Sequence, residues 1–471
     1  MSEMITADIC IIGAGSGGLS VAAAASQLGK KTILVEGGKM GGDCLNYGCV
    51  PSKALIAAGN VAHKMRSSAP FGITAHEPDI NFTKVHNHVH DVIAGIAPHD
   101  SVERFEVLGV KVIQDYGTFE SANIVKAGKW TIKAKRFVIA SGSSPSIPPI
   151  PGLSDVPYLT NETLFDLKEV PNHLIIIGGG PIGLEMAQAH RRLGAKVSVI
   201  ALAFMENDDP ELVEYLLNSL RTEGVELKDK VNIKSINHEK DMFHVVLEDE
   251  TITGSHLLIA TGRKPNIERL NLEKAGVEYS KGAIIVGSNL RTTNKAIYAI
   301  GDVTGGMGFT HKAGYDAGII IRRLAFGMFW AKADYKALPR VTYTSPELAA
   351  VGLSEKEALI KYPNKIKILN WNYQDNDRAR AERATKGMIK VITTNKGHIL
   401  GVSIVGKNAG EIIAPWSLCI NEGLKIGAMA NIISPYPTLG EVNKRAASSF
   451  YTASLFSDKT RALVKILSKF G

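Results

Sequence analysis

Ile11-Ile12-Gly13-Ala14-Gly15-Ser16-Gly17-Gly18 stands near the start of this chain, and Ile176-Ile177-Gly178-Gly179-Gly180-Pro181-Ile182-Gly183 repeats it 165 residues later. The offset persists downstream. Leu28-Gly29 matches Leu193-Gly194, and Thr32-Ile33-Leu34-Val35 matches Val197-Ser198-Val199-Ile200. Each copy reads as strand, glycine turn, helix and second strand, the context in which Gly-x-Gly-x-x-Gly is informative. Gly13, Gly15 and Gly18, and again Gly178, Gly180 and Gly183, permit a tight turn and close approach of a pyrophosphate to a helix N-terminus. Two such units predict two dinucleotide sites on an α/β fold.

The two copies differ just past the glycines. Glu36 lies 23 residues after Gly13, at the end of the second strand, where a carboxylate accepts hydrogen bonds from a ribose. The equivalent residue after Gly178 is Ala201, and residues 201–210 contain no Lys or Arg to hold a 2′-phosphate. Glu206, Asp208 and Asp209 read as residues preceding a helix that starts at Pro210-Glu211-Leu212. This position therefore does not decide between NADH and NADPH.

The chain has 471 residues, a length that suggests two to four domains, with 45% hydrophobic and 21% charged residues, an ordinary globular composition. Only four cysteines occur. Cys10 and Cys419 stand far apart, whereas Cys44 and Cys49 share the run Gly41-Gly42-Asp43-Cys44-Leu45-Asn46-Tyr47-Gly48-Cys49-Val50-Pro51-Ser52-Lys53. So few thiols make no disulfide framework, which points to a reducing cytoplasm and to Cys44 and Cys49 as a catalytic dithiol/disulfide couple. The net charge of +8 is spread along the chain without an aromatic-basic motif, so a phosphate-rich cofactor is the expected acidic partner, not a nucleic acid. Residues 9–29 are uncharged, yet Glu3 and Asp8 precede them and five glycines interrupt them. Neither an export signal nor a membrane span is expected there.

The cysteine run, in order with the two fingerprints, resembles the pyridine nucleotide-disulfide oxidoreductases, the flavoproteins that include dihydrolipoamide dehydrogenase, glutathione reductase and mercuric reductase. The resemblance runs through nearly the whole chain. It implies FAD on the first fingerprint, NADH or NADPH on the second, Cys44 as the thiol that exchanges with substrate and Cys49 as the thiol against the flavin. It implies further an ion pair of Lys53 with Glu185 near the flavin ring. Phe137-Val138-Ile139-Ala140-Ser141-Gly142 and Leu257-Leu258-Ile259-Ala260-Thr261-Gly262-Arg263 look like the segments where the chain crosses between its nucleotide domains. Ile297-Tyr298-Ala299-Ile300-Gly301-Asp302 is similar to the second FAD motif, with Asp302 on the ribityl chain. Gly42, Gly117, Ser141, Thr310, Ala313 and Gly262 complete the implied cofactor contacts. The implied order is an FAD domain over 1–150, an NAD(P) domain over 151–270, the rest of the FAD domain over 271–335, and an α+β interface domain over 336–471 that forms a homodimer.

Two departures bear on activity. Asp43 stands where most members carry Thr or Ser, and a carboxylate there is expected to raise the Cys44 pKa. Near the C-terminus the family's thiol reductases place a His-Pro-Thr base with a Glu behind it. This chain reads Pro435-Tyr436-Pro437-Thr438-Leu439-Gly440-Glu441, so Glu441 is kept and Tyr436 replaces the His. A phenol with a pKa near ~10 is protonated at neutral pH and makes a poor base. The acceptor is left open between a small disulfide or dithiol, as in dihydrolipoamide dehydrogenase, and a metal ion or quinone, as in mercuric reductase; no cysteine pair occurs beyond residue 420. A flavin-bearing binding or membrane-associated protein with little disulfide turnover is the reading of another class. The alternating His86, His88 and His90 read as a solvated face, not a zinc site, on one side of a strand or an irregular helix. Finally Leu463, Ile466, Leu467 and Phe470 recur at helical spacing among Lys459, Arg461, Lys465 and Lys469. Such a tail fits either an acidic membrane surface or packing against a partner or the dimer mate.

Overall fold

The computed structural model describes residues 3–470, which form two compact units. Among the described residues, the first comprises 3–178, 189–200 and 231–334, and the second 179–188, 201–230 and 335–470.

In the first unit, β1 (Glu3–Ile12) lies inside a mixed sheet and runs parallel to the strand on either side of it. It is followed by α1 (Ser16–Gln27) and by β2 (Thr32–Val35), a wholly buried Thr-Ile-Leu-Val run. The cysteine segment comes next, as the short α2 (Gly42–Asn46) and the long α3 (Cys49–Arg66). After them, β3 (Val110–Ile113) pairs with β2, and β4 (Trp130–Ile139) pairs with the other side of β1, Ile12 facing Val35 and Ile139. The apolar ends of these strands, 9–12 of β1 and 137–139 of β4, together with β2, are what a sheet covered on both faces demands. Ile9, Ile11, Leu34 and Val138 pack on one face with Leu19 and Ala22 of α1, while Cys10, Ile12, Ile33 and Phe137 pack on the other.

The second fingerprint repeats this construction. β5 (His173–Ile177) lies between β6 (Lys196–Ala201) and β7 (His256–Ile259), all parallel, with Ile177 opposite Ile200 and Ile259. The chain then returns to the first sheet with β8 (Ile297–Ala299), parallel to β4, and enters the helix Thr310–Leu324, here α4.

The second unit is built on a five-stranded antiparallel sheet in the order 339–342, 347–352, 399–406, 388–394, 366–372. Its core surrounds Trp416 and Tyr373, with the Trp416 indole donating to Asn443 Oδ1 at 2.8 Å. The carboxylates before the helix at Pro210–Thr222 are spent on this sheet. Asp209 accepts from Ser403 Oγ at 3.2 Å and lies 3.8 Å from the buried Lys390 ammonium, which also pairs with Glu355 at 2.5 Å and with Glu211. Asp208 pairs with Arg340 at 2.9 Å. Both acids thus hold structure and not a coenzyme ribose.

Candidate functional site

The first glycine turn is shaped by contacts that leave no room for a side chain. Gly13 sits at φ +108°, and a Cβ there would lie 2.3 Å from the Ala140 carbonyl oxygen. A Cβ on Gly15, by contrast, would meet nothing within 4 Å, which makes it the open side of the cradle. The first turn of α1 has no acidic residue and no side-chain cap, so its N–H groups and partial positive charge suit a pyrophosphate. Glu36 closes the ribose end of the turn, accepting from the N–H of Ala14 at 2.5 Å and of Gly38 at 2.6 Å.

The cysteine segment abuts this turn. Gly41 N–H donates to Ala14 O at 3.0 Å, and a Cβ on Gly42 would stand 2.8 Å from Gly15 Cα. Asn46 Nδ2 ties the loop back to Met40 O and Gly42 O. Cys49 opens α3 in its first turn, where the helix N-terminus favours a thiolate. Its sulfur lies 3.4 Å from Thr310 Oγ1 at the start of α4. Both cysteines are free thiols, and they titrate in opposite directions. The Cys44 hydrogen bond, with help from Thr310 and the Lys53 ammonium, lowers Cys49 to about 6. The same bond, together with burial, pushes Cys44 well above an ordinary thiol. One proton therefore belongs to the pair, resting on Cys44 and shared with Cys49.

Asp43 raises the Cys44 thiol, as its position suggests, and it also has a second role. Its Oδ1 lies 3.0 Å from Arg263 Nη2 and accepts from Asn161 Nδ2 at 2.9 Å. Arg263 in turn donates through Nε to Ser143 Oγ at 2.8 Å and through Nη2 to Ser143 O at 2.7 Å, and Ser143 Oγ donates to Asp302 Oδ2 at 2.6 Å. The charge beside Cys44 is thus answered by a guanidinium, and it is the smallest of the influences raising that thiol. The chain Asp43–Arg263–Ser143–Asp302 links the cysteine segment to the turn that carries Asp302. Nothing local marks Ser143 or Asn161; the only signal for Arg263 is its place after Thr261-Gly262.

The turn at Gly301–Thr304 that carries Asp302 is braced by a buried ion pair. Lys312 Nζ and Asp316 Oδ2 are 3.1 Å apart, Asp316 accepts from Gly301 N–H at 3.1 Å, and Lys312 reaches Thr304 Oγ1 at 3.2 Å. Ala313 packs under Gly301 and Gly17. Gly117 lies against Ile12 and Val35, Ser141 Oγ donates to Asn266 O at 2.7 Å, and the open Gly262 sits at φ +125°. These residues fit FAD: an open glycine cradle, a ribose carboxylate, and a second acid facing a gap that the glycine at 308 keeps clear.

Comparison with known proteins agrees with this geometry. The profile of the family described as pyridine nucleotide-disulphide oxidoreductase matches residues 7–317, and that of its dimerisation domain matches residues 338–447. The chain belongs to that family. It is 35% identical to a mercuric reductase of Bacillus cereus over 452 residues, covering 94% of this chain and 71% of that one. It is 33% identical to a dihydrolipoyl dehydrogenase of Thermus scotoductus, covering 96% and 99%. Among solved structures, the Cu(II) complex of the HOCl-induced flavoprotein disulfide reductase RclA from Escherichia coli superposes with a TM-score of 0.86 at 27% identity, covering 95% of this chain and 100% of that one. The family's members contain FAD and use NAD(P)H, its fold is mixed α/β, and its dimerisation domain supports a homodimer.

Within this pyridine nucleotide-disulphide oxidoreductase, the second fingerprint reproduces the cradle of the first. A Cβ on Gly178 (φ +130°) would stand 2.2 Å from Ala260 O, and one on Gly180 would meet nothing. Gly183 comes next, in the first turn of the helix Pro181–Arg192. Ala201 is buried, and its Cβ would come within 2.8 Å of one added to Gly179. Glu185 is 4% exposed, and its Oε1 accepts from Tyr343 N–H at 2.9 Å. Lys53 Nζ reaches Ser52 Oγ at 3.4 Å and exerts its charge on Cys49.

At the other end of the chain, Tyr436 is 69% exposed and its hydroxyl donates to Asp377 Oδ2 at 3.0 Å. That bond to a carboxylate raises the phenol above its ordinary range, so even less phenolate is present to act as a base at neutral pH than the sequence suggests. Glu441 is turned to Arg445, 2.7 Å away on the next turn of its own helix, and not to the Tyr436 hydroxyl. The three histidines lie on a regular helix, Phe82–Ile96, and not on a strand. His86 and His90 stack with centroids 4.2 Å apart, and His90 Nε2 lies 3.1 Å from Phe165 O. Among the described residues no cluster of His, Cys, Asp or Glu could hold a metal, and no helix is long and apolar enough to cross a membrane.

Proposed function

We propose that this protein is an NAD(P)H-driven reductase whose Cys44–Cys49 couple delivers an electron pair to an external acceptor. The observation that carries the reading is the placement of two free thiols on one short segment, Cys49 in the first turn of α3 with its sulfur 3.4 Å from Thr310 Oγ1, an environment that lowers Cys49 while Cys44 stays protonated. When bound, FAD relays the electron pair between nicotinamide and sulfur. The net step balances without an added proton: a hydride and a disulfide give one thiol and one thiolate. Cys44 keeps the proton, and Cys49 keeps the negative charge, beside Lys53, Thr310 and the start of α3. Exchange with an acceptor then needs Cys44 to lose its proton, which passes to the departing sulfur of the acceptor within the same exchange, and the Cys49 thiolate closes the ring. The external disulfide gains two electrons and leaves as thiol plus thiolate as the Cys44–Cys49 bond closes.

That proton transfer serves reduction. Oxidation of an external dithiol has the opposite need, a base for the incoming thiol, and Tyr436 bound to Asp377 offers none. The same feature favours a second reading, in which the acceptor is a soft metal ion such as Hg(II) or Cu(II), bound by thiolate and needing no base. The names of the relatives, mercuric reductases and a Cu(II)-bound reductase, point the same way.

The test is anaerobic titration of the purified holoenzyme with NADH or NADPH, and then with lipoamide, oxidised glutathione, Hg(II), Cu(II) and a quinone as acceptors. One equivalent should produce two thiols and a long-wavelength thiolate–flavin absorbance, lost in Cys49→Ser. A flavin that stays oxidised, or a bleached flavin with no thiol formed, would overturn the proposal.

A further inference from the structure

Beyond the catalytic unit, the last helix of the chain, Asp458–Leu467, has no buried residue. It is nonetheless a well-formed helix. Ser457 caps it by accepting from Thr460 N–H, and Thr460 Oγ1 donates to Ser454 O at 2.8 Å, fixing it to the end of the preceding helix Glu441–Leu455. Leu463, Ile466, Leu467 and Phe470 adopt an i, i+3, i+4, i+7 pattern and are each more than half exposed, with Val464 at the edge of the same face. Arg461, Lys465 and Lys469 recur every fourth residue on the opposite side. Lys459 falls on the apolar stripe itself, in the first turn of the helix, from which a lysine can extend its ammonium outward. Four cations face a single acid, Asp458, and the exposed Phe456 and Leu455 extend the apolar surface to the helix junction.

We propose that this helix docks the protein on an anionic phospholipid surface. A nucleic acid would answer the charges but would leave five apolar side chains in water. A monolayer interface accepts both faces at once, apolar side chains among acyl chains and cations among acidic headgroups. The dimerisation-domain match ends at residue 447, before this helix begins.

The experiment is co-sedimentation of the holoenzyme with vesicles of phosphatidylcholine alone and of phosphatidylcholine with about a third phosphatidylglycerol. Oligomeric state is measured in parallel. Binding to the anionic vesicles should exceed binding to neutral ones at least tenfold, and should fall steeply with salt as headgroup charge is screened. Leu463→Glu with Leu467→Glu, and separately Arg461→Glu with Lys465→Glu, should each abolish binding, with flavin content and NAD(P)H oxidation unchanged. No binding to anionic vesicles, equal binding to neutral ones, or binding that survives both double variants would overturn the proposal. So would a dimer that becomes a monomer in the leucine variant, since the helix would then be covered by a second copy of this chain.

Discussion

The two glycine turns have the same skeleton and different surroundings. Gly13 and Gly178 share a left-handed φ and nearly the same contact with a carbonyl oxygen, 2.3 Å and 2.2 Å from the missing Cβ, and Gly15 and Gly180 are both open. Beyond the skeleton they diverge. The first turn is closed by Glu36, pressed by Gly42 of the cysteine segment, and connected through Arg263 and Ser143 to Asp302. The second has Ala201 in place of the acid, and its neighbouring acids are engaged by Lys390 and Arg340. On the proposed reading, the shared skeleton takes a pyrophosphate in both copies, and the residues attached to it set a permanent redox group apart from an exchangeable coenzyme.

The largest effects should come from filling each skeleton. Gly13→Ala places a Cβ against backbone that cannot yield, at a φ alanine adopts poorly, so the protein should fold without retaining flavin. Gly178→Ala should keep the flavin and lose at least ~10²-fold in NAD(P)H-dependent flavin reduction, a cost of ~2.7 kcal/mol. Absorbance spectra and stopped-flow reduction distinguish the two outcomes. A Gly178→Ala enzyme reduced at the normal rate would show that the second turn is not the coenzyme site.

A comparable effect is expected at the brace beneath Asp302. Lys312→Met leaves Asp316 buried without its cation and should destabilise the flavin-binding unit by about 3–5 kcal/mol, seen as a lower urea midpoint and flavin release. The double variant Lys312→Met/Asp316→Leu, which removes both charges, should recover most of that loss.

How far the sequence reveals such features depends on how local they are. The family and fold class could be read from Gly13-Ala14-Gly15, its repeat and the Cys44–Cys49 run, because a tight turn, a close backbone approach and a dithiol spacing are all properties of adjacent residues. The Asp43–Arg263 pair could not, because its partners are 220 positions apart and only the paired crossover strands, Ser143–Pro145 with Arg263–Pro265, bring them together. Read alone, Asp43 is an unanswered charge beside a thiol. The regular helix under His86, His88 and His90 was obscured by an alternation that also suits a strand; the Asn81 cap, accepting from Lys84 N–H, is the local signal that identifies it.

The ribose ends offer a smaller test of the same contrast. Glu36→Ala should weaken FAD retention by about 10- to 100-fold, since two short charge-assisted hydrogen bonds and the ribose contact go together. With no carboxylate at Ala201 to repel a 2′-phosphate, kcat/KM for NADPH and NADH should lie within about tenfold of each other. Ala201→Glu should lower the NADPH value at least tenfold more than the NADH value. Equal losses would place the ribose elsewhere.

The smallest predicted effects concern the charges around Cys49. Its pKa falls from 9.0 free to about 6 in the folded, reduced protein, so its thiolate should be present above pH 6 and lost as pH falls through that value. Because the folded pKa is the lower one, the contribution to stability of the reduced form is full above pH 9 and disappears as pH falls to about 6. Thiolate–flavin absorbance against pH reads the midpoint directly. Lys53→Met removes one attractive charge and should move the midpoint upward. Asp43→Asn should move it the other way and by less, because Arg263 already neutralises that carboxylate. A large downward shift in Asp43→Asn would mean that Arg263 does not shield the dithiol, and the link from the cysteine segment to Asp302 would then be packing alone.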